Sequence, residues 1–325
     1  MCQGIHWGTI IRPLQQGKCV FVLGDDLEIE AGKNLKDFLF EDLSQKNEEG
    51  FLHLQKPKEK TQICWRIDEK LTKITPPSYY EKLVQIPFHT LISLHFDNLL
   101  ERVFLEKGFA YESHFYYKKK AAPDLPLPTA ERPLLYNLFG KLGEDESVVL
   151  SKDDVFDFLF SILGDFRLPK TLSQQLQEAT NVIFLGCRYN SWQTELIMKL
   201  LDFQSGYALF KNEAISESKR IFYTEKLQLE FLECPPQEFI AALYEQCKER
   251  DLLRTVQKEN ATLIRLSEKE RQDLETNLEG LLEKLSFFRE EKTLATDVEQ
   301  KFALNKRIKQ LEAEVEEIRG KLEAH

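Results

Sequence analysis

The chain has 325 residues, 42% of them hydrophobic and 30% charged, with a formal net charge of −10. That length supports one large core plus a smaller module, and the acidic balance argues against a general nucleic-acid binder, which needs a basic face to displace counterions from phosphates. No stretch approaches the roughly 18 to 20 continuous apolar residues of a membrane span, and Met1-Cys2-Gln3 opens no secretion signal, so no membrane partner and a cytoplasmic location are expected.

In chain order, Cys19-Val20-Phe21-Val22-Leu23 reads as a buried strand that turns at Gly24 into Asp25-Asp26-Leu27-Glu28. A strand feeding a helix through a glycine turn is where α/β folds cradle a nucleotide phosphate. Here the turn carries carboxylates. Residues 31 to 43 read as a helix, with Leu35, Phe38, Leu39 and Leu43 at helical spacing, and residues 48 to 65 as a short strand with variable surface structure. A helix begins near Pro76-Pro77-Ser78, a strand covers His89 to Phe96, and a helix follows from Asn98 to Lys107. The prolines at 123, 126, 128 and 133 make residues 118 to 133 an exposed loop, in which Lys118-Lys119-Lys120 is a solvated charge run.

A strand at Leu134 to Phe139 breaks at Gly140, and a short extended piece is read at Val148-Val149-Leu150. Ser151-Lys152-Asp153-Asp154 is a helix-capping signature before the helix from Val155 to Leu163. Asn181 to Gly186 repeats the strand-then-glycine unit and leads to an amphipathic helix ending at Leu201. Strands near Tyr207 to Phe210 and Leu227 to Leu232, then a helix from Pro236 to Arg250, close the domain. Alternating strands and helices predict an α/β fold: a Rossmann-like, mostly parallel sheet with helices on both faces.

After a linker at 251–266, the segment 267–325 has no proline and is dominated by charged residues and leucine. Leu274, Leu278, Leu281, Leu285 and Phe288 form one a/d seam, and Leu304, Ile308, Leu311, Val315, Ile318 and Leu322 form a second. Thr296-Asp297-Val298-Glu299 is a capping box between them, which predicts a C-terminal α-helical hairpin; one continuous coiled coil is the alternative the sequence leaves open. Such narrow seams predict self-association or a protein partner through 267–325. The six cysteines contain no C-x-x-C pair and the histidines no metal-ligand spacing, so reduced thiols and no metal centre are expected.

The order of these pieces, over roughly residues 8 to 250, resembles the sirtuin-like domain of bacterial conflict proteins. Val22-Leu23-Gly24-Asp25-Asp26 stands where that family has Gly-Ala-Gly-x-Ser, and Ser93-Leu94-His95-Phe96-Asp97-Asn98-Leu99-Leu100-Glu101 is similar to its Thr-Thr-Asn-Tyr-Asp-x-Leu-Leu-Glu. Tyr136-Asn137-Leu138-Phe139-Gly140 matches a stretch that normally holds His-Gly, and Phe184-Leu185-Gly186-Cys187 its Phe-Leu-Gly segment near the adenosine; Cys234-Pro235-Pro236 resembles its closing strand-to-helix step. Glu283 to Phe288 together with Asp297 to Leu304 is similar to a helical module appended to caspase-like and other conflict effectors.

The resemblance implies an NAD cleft with an asparagine and a histidine supporting attack at the nicotinamide ribose. This chain has His95 and Phe139 at those places, and a phenylalanine ring offers neither proton nor lone pair for base catalysis. The implied cofactor contacts are Gly24, Asp25, Asp26, Asp97 and Gly186. A carboxylate about 5 Å from a phosphate costs on the order of 3 kcal/mol at an effective dielectric of about 20, while a helix terminus returns roughly 0.3 to 1 kcal/mol. At most weak binding of NAD or another adenine nucleotide follows. A cation gathered by Asp25, Asp26, Glu28 and Asp97, with His95 as substitute base, is the alternative that would relieve the repulsion.

The expectation is therefore a catalytically degenerate sirtuin-like protein, an adaptor or structural subunit of an antiphage-defence assembly acting through its C-terminal helices. Two other readings stand beside it: an NAD-hydrolysing effector activated by oligomerisation, and a nucleotide sensor.

Overall fold

The computed structural model describes residues 4–30, 33–41, 51–54, 57–210 and 215–255, together with helical positions between 278 and 315. The chain divides into two compact units, Met1–Val256 and Gln257–His325. The strands are β1 (Cys19–Leu23), β2 (Glu28–Glu30), β3 (Lys33–Asn34), β4 (Thr90–Ser93), β5 (Glu112–Phe115), β6 (Leu134–Asn137), β7 (Asn181–Leu185), β8 (Gly206–Phe210) and β9 (Leu229–Glu233). The helices are α1 (Gly8–Gln15), α2 (Leu35–Leu39), α3 (Pro57–Lys73), α4 (Ser78–Leu83), α5 (Leu99–Glu106), α6 (Lys152–Leu163), α7 (Lys170–Glu178), α8 (Trp192–Leu201), α9 (Glu217–Ile221) and α10 (Pro236–Glu249).

Seven strands form one sheet in the order β5-β6-β4-β1-β7-β8-β9, and every pairing is parallel. β1 lies at its centre and is buried along its whole length, which is why it reads as a continuous apolar run rather than an alternation. Cys19, Phe21 and Leu23 face one core, with Ile67 of α3, Phe104 of α5 and Leu243 of α10. Val20 and Val22 face the other, with Phe158 of α6, Leu176 of α7 and Met198 of α8. Helices thus cover both faces, as the alternating pattern requires.

Three expectations are corrected. After the Gly24 turn the chain does not open a long helix: β2 and β3 pair antiparallel, and α2 is only five residues long, capped by Asn34 Oδ1 accepting from the Asp37 amide at 2.8 Å. Residues 31, 32, 42 and 43 of the expected helix lie outside the described residues. The segment expected to be variable holds α3, whose Ile63, Cys64, Ile67 and Leu71 are buried on one side, and Leu52 bridges to Ser151. The lysine run is not uniformly solvated, because Lys118 is buried and donates to Asp154 Oδ1 at 2.6 Å.

Asp154 forms the predicted capping box with Ser151 at the start of α6. The same carboxylate takes Lys60 Nζ at 2.6 Å, so two buried ammonium groups share one oxygen. Burial pushes the Asp154 pKa up, but Lys118 and Lys60 outweigh it and hold the carboxyl at about 2.

At the end of the first unit, Arg254 is buried and donates to the carbonyls of Ala130, Val84 and Phe88 at 2.6, 2.6 and 2.9 Å. Arg254 thereby anchors the described end of this unit, residues 251–255, to the chain around Val84, Phe88 and Ala130. Cys19, Cys64, Cys187 and Cys247 are free and buried, whereas Cys234 is disulfide-bonded, against the expectation of reduced thiols throughout.

In the second unit Leu281 and Val315 share a buried cluster with Leu278 and Leu311 beside them, and the Arg307 guanidinium lies 5.4 Å over the Phe288 ring. The two seams meet within one chain, and the pairing of early with late positions is that of antiparallel helices. Leu274, Ile318 and Leu322 of the expected seams, and the 296–299 capping box, lie outside the described residues.

Candidate functional site

Strand order reverses at β1, with β4 on one side and β7 on the other. The crevice beyond the carboxyl ends of such strands is where open α/β sheets receive ligands. In this chain the two glycine turns that border it are joined to each other. The Gly24 amide donates to the Leu185 carbonyl and the Asp26 amide to the Gly186 carbonyl, both at 2.8 Å. A Cβ on Gly24 would stand 2.3 Å from the Gly186 carbonyl oxygen, so glycine is required there by close backbone approach. Gly186 has φ +67°, in the region that favours glycine. The turn amides that a phosphate cradle would offer are spent on β7 and its turn, and the chain continues into β2, so no helix N-terminus is aimed from this turn.

The acidic residues of the turn part company. Asp25 faces the cavity and is gripped by Arg188, with Nη2 at 2.6 Å from Oδ2 and Nε at 3.2 Å from Oδ1; Lys36 Nζ stands 3.8 Å away. Burial would raise the Asp25 pKa, but Arg188 and then Lys36 outweigh it and hold the carboxyl below its ordinary value. Asp26 is exposed and accepts from Asn34 Nδ2 at 3.4 Å. The mouth is therefore a compensated ion cluster, which corrects the expectation of bare carboxylates repelling a phosphate. The cation that balances Asp25 is a guanidinium placed 163 residues further along the chain.

His95 and Asp97 follow β4. The His95 ring is buried, with Nε2 at 2.7 Å from the Gly24 carbonyl oxygen and Nδ1 at 3.8 Å from Asp97 Oδ2. A carbonyl can only accept, so Nε2 carries a proton and has no lone pair for a substrate. Asp97 Oδ1 accepts from the Leu99 amide at 2.9 Å and starts α5, while burial pushes its carboxyl pKa up against the pull of His95. Phe139, just after β6, packs edge-on against Phe158 of α6 at 5.5 Å between centroids.

These groups surround a cavity of about 90 Å³. Asp25, His95, Asp97 and Phe139 line it; Gly24, Asp26 and Gly186 do not. Lys36, Arg188, Trp192 and Thr194, none of which the sequence motifs place in the site, line it too. Its remaining walls are mainly aliphatic and aromatic side chains from α2, α6 and α8. Pockets that bury drug-sized ligands run to about 300–1,000 Å³, so the space is a fraction of what a dinucleotide fills. Among the described residues no three His, Cys, Asp or Glu side chains converge as a metal-holding group.

A parallel sheet reversing at β1, with the β4, β6 and β7 turns gathered around one cleft, is the geometry on which comparison with known families bears. Residues 89–232 match the family model of the SIR2-like domain. The SIR2-like match starts just before β4 and ends within β9, so it takes in His95, Asp97, Phe139 and Gly186 but leaves β1 and the Gly24 turn outside. No curated protein matches the chain. Among the described residues no helix is long and apolar enough to cross a membrane.

Proposed function

We propose that this SIR2-like protein is catalytically silent and serves as an adaptor or structural subunit of a bacterial antiphage-defence assembly. The observation that carries the silent part is the bond from His95 Nε2 to the Gly24 carbonyl, made in a cleft whose other expected base position is Phe139. Two groups that the resemblance assigns to nicotinamide-ribose attack are thus an occupied imidazole and an inert ring. The bonded Nε2 has no lone pair for a proton, and the Phe139 ring has none at all.

The defence context is supported by the resemblance of the ordered motifs to conflict proteins. The adaptor role is supported by Leu282 and Phe287, large apolar side chains that the second unit leaves exposed while Leu281 and Val315 are buried in its own cluster. The first unit then supplies a rigid SIR2-like body, residues 267–325 join it to others, and the location is cytoplasmic. Incubation of the full chain with NAD, with and without Mg²⁺, tests the silent cleft by nicotinamide release. Light scattering before and after removal of residues 267–325 tests the joining role.

A further inference from the structure

α6 is apolar on two opposite sides. Val155, Phe158 and Ile162 are buried in the core, whereas Phe156, Phe160 and Leu163 are 49, 79 and 62% exposed. The exposed three lie four and three residues apart, so they form one stripe along the outer face of the helix. A helix that is apolar all round is one that is covered on both sides, and among the described residues nothing covers this stripe. A whole aromatic side chain presents about 150–250 Å², so the three exposed fractions amount to roughly 350 Å² of apolar surface per copy. Monomers that show an apolar patch of this size commonly bind something with it.

The two ends of the stripe carry charges in a self-complementary order. Asp153, exposed in the first turn of α6, stands at one end, and Arg167, exposed and sharing a groove with Leu163, stands at the other. Neither makes an ion pair or a side-chain hydrogen bond among the described residues. Lys152 stands beside the first and Asp165 near the second, both exposed. A two-fold axis at Phe160 brings each end of one helix to the opposite end of its counterpart. Asp153 then meets Arg167, Lys152 meets Asp165, and Phe156 lies over the exposed Gly164, which has no side chain to obstruct the ring. Parallel packing would set Asp153 against Asp153 instead. A surface whose two halves match each other across such an axis is what an isologous dimer requires.

We infer that this protein forms a two-fold homodimer through the outer face of α6, packed antiparallel on the same helix of a second copy, with Phe160 at the axis and Asp153 paired with Arg167. This surface lies in the first unit and is additional to the association proposed for residues 267–325. Stable complexes bury about 800 Å² per partner, so the stripe is the core of a modest interface and a dissociation constant in the micromolar range is expected.

Sedimentation velocity of the full chain across the micromolar range is compared with Phe160→Glu, Asp153→Arg and the double variant Asp153→Arg/Arg167→Asp. The parent should gain mass with concentration. Phe160→Glu should weaken that step at least about tenfold, as loss of a central aromatic anchor does. Asp153→Arg should weaken it about threefold to tenfold, since two symmetric contacts change at once, and the double variant should return to within about twofold of the parent. All three substituted side chains are exposed, so the fold is retained. Any association through residues 267–325 is common to parent and variants, and the difference between them reads α6 alone. A parent without a concentration-dependent step, unchanged association in Phe160→Glu, or a charge swap that restores nothing overturns the inference. So does binding of the parent to phospholipid vesicles that Phe160→Glu abolishes while leaving the mass unchanged, which would make a membrane surface the occupant.

Discussion

His95 and Gly24, 71 residues apart in sequence, are held together by a 2.7 Å bond from the imidazole Nε2 to the turn carbonyl. The bond joins the end of β4 to the end of β1 across the crevice where a ligand would sit. It fixes a proton on Nε2 and leaves Nδ1, 3.8 Å from Asp97 Oδ2, as the ring's other nitrogen. Replacing the ring by alanine leaves a buried carbonyl without its donor, so His95→Ala should lower unfolding stability by about 1–3 kcal/mol in urea denaturation. A stability within error of the parent would show that the bond contributes little.

Gly24 and Gly186 approach too closely for any side chain, with a Cβ on Gly24 at 2.3 Å from backbone oxygen. Backbone on both sides cannot give way as a flexible side chain would. Gly24→Ala should therefore cost at least about 1–3 kcal/mol by overpacking, read as a lowered melting temperature. An unchanged melting temperature would mean that the two turns separate easily.

Asp154 carries the clearest pH dependence. Its pKa moves from an ordinary 3.8 to about 2 on folding, because Lys118 and Lys60 both donate to it. A carboxyl with a lowered folded pKa stabilises the fold above its unfolded pKa and loses that contribution as pH falls through the folded value. Stability measured in urea should fall between about pH 4 and pH 2, with this group contributing on the order of 2 kcal/mol. Asp154→Asn should flatten that limb and lower stability at neutral pH, since it leaves two buried ammonium groups without a counter-charge. An acid limb of undiminished slope in the variant would assign the titration elsewhere.

Arg254 ties the end of the first unit to three carbonyls and stacks 4.9 Å over Phe88 and 5.1 Å over Phe104. Arg254→Ala should cost at least about 3 kcal/mol, because several buried acceptors are left unsatisfied at once. Lysine should recover only part of this, having no planar fork to reach all three. Full rescue by lysine in thermal melts would reduce the role to charge alone.

Much of the sheet was legible because β1, β4, β6 and β7 are short apolar runs ended by glycine or polar turns, which only a two-sided burial produces. β5 was not, since Glu112-Ser113-His114-Phe115 is a half-exposed edge strand with no apolar signal. The spacing of Leu35, Phe38 and Leu39 is helical but persists for barely one turn, so it could not locate the β2–β3 hairpin before it. α3 did carry a readable stripe, Ile63, Ile67 and Leu71, masked by the charged residues between. At the site, the motif order brought His95, Asp97, Asp25 and Phe139 to one cavity. The pairing of Asp25 with Arg188 and the loss of the turn amides to β7 were not legible, because both are long-range contacts that no local spacing encodes.

Whether the cleft can cleave NAD is decided by nicotinamide release from the full chain and from Phe139→His. Silence is expected from both, because restoring an imidazole after β6 frees neither His95 Nε2 nor the turn amides that Gly24 and Asp26 spend on β7 and Gly186. Sustained release by the unaltered chain, abolished in His95→Ala, would show instead that the imidazole works as a base and that the cleft is active.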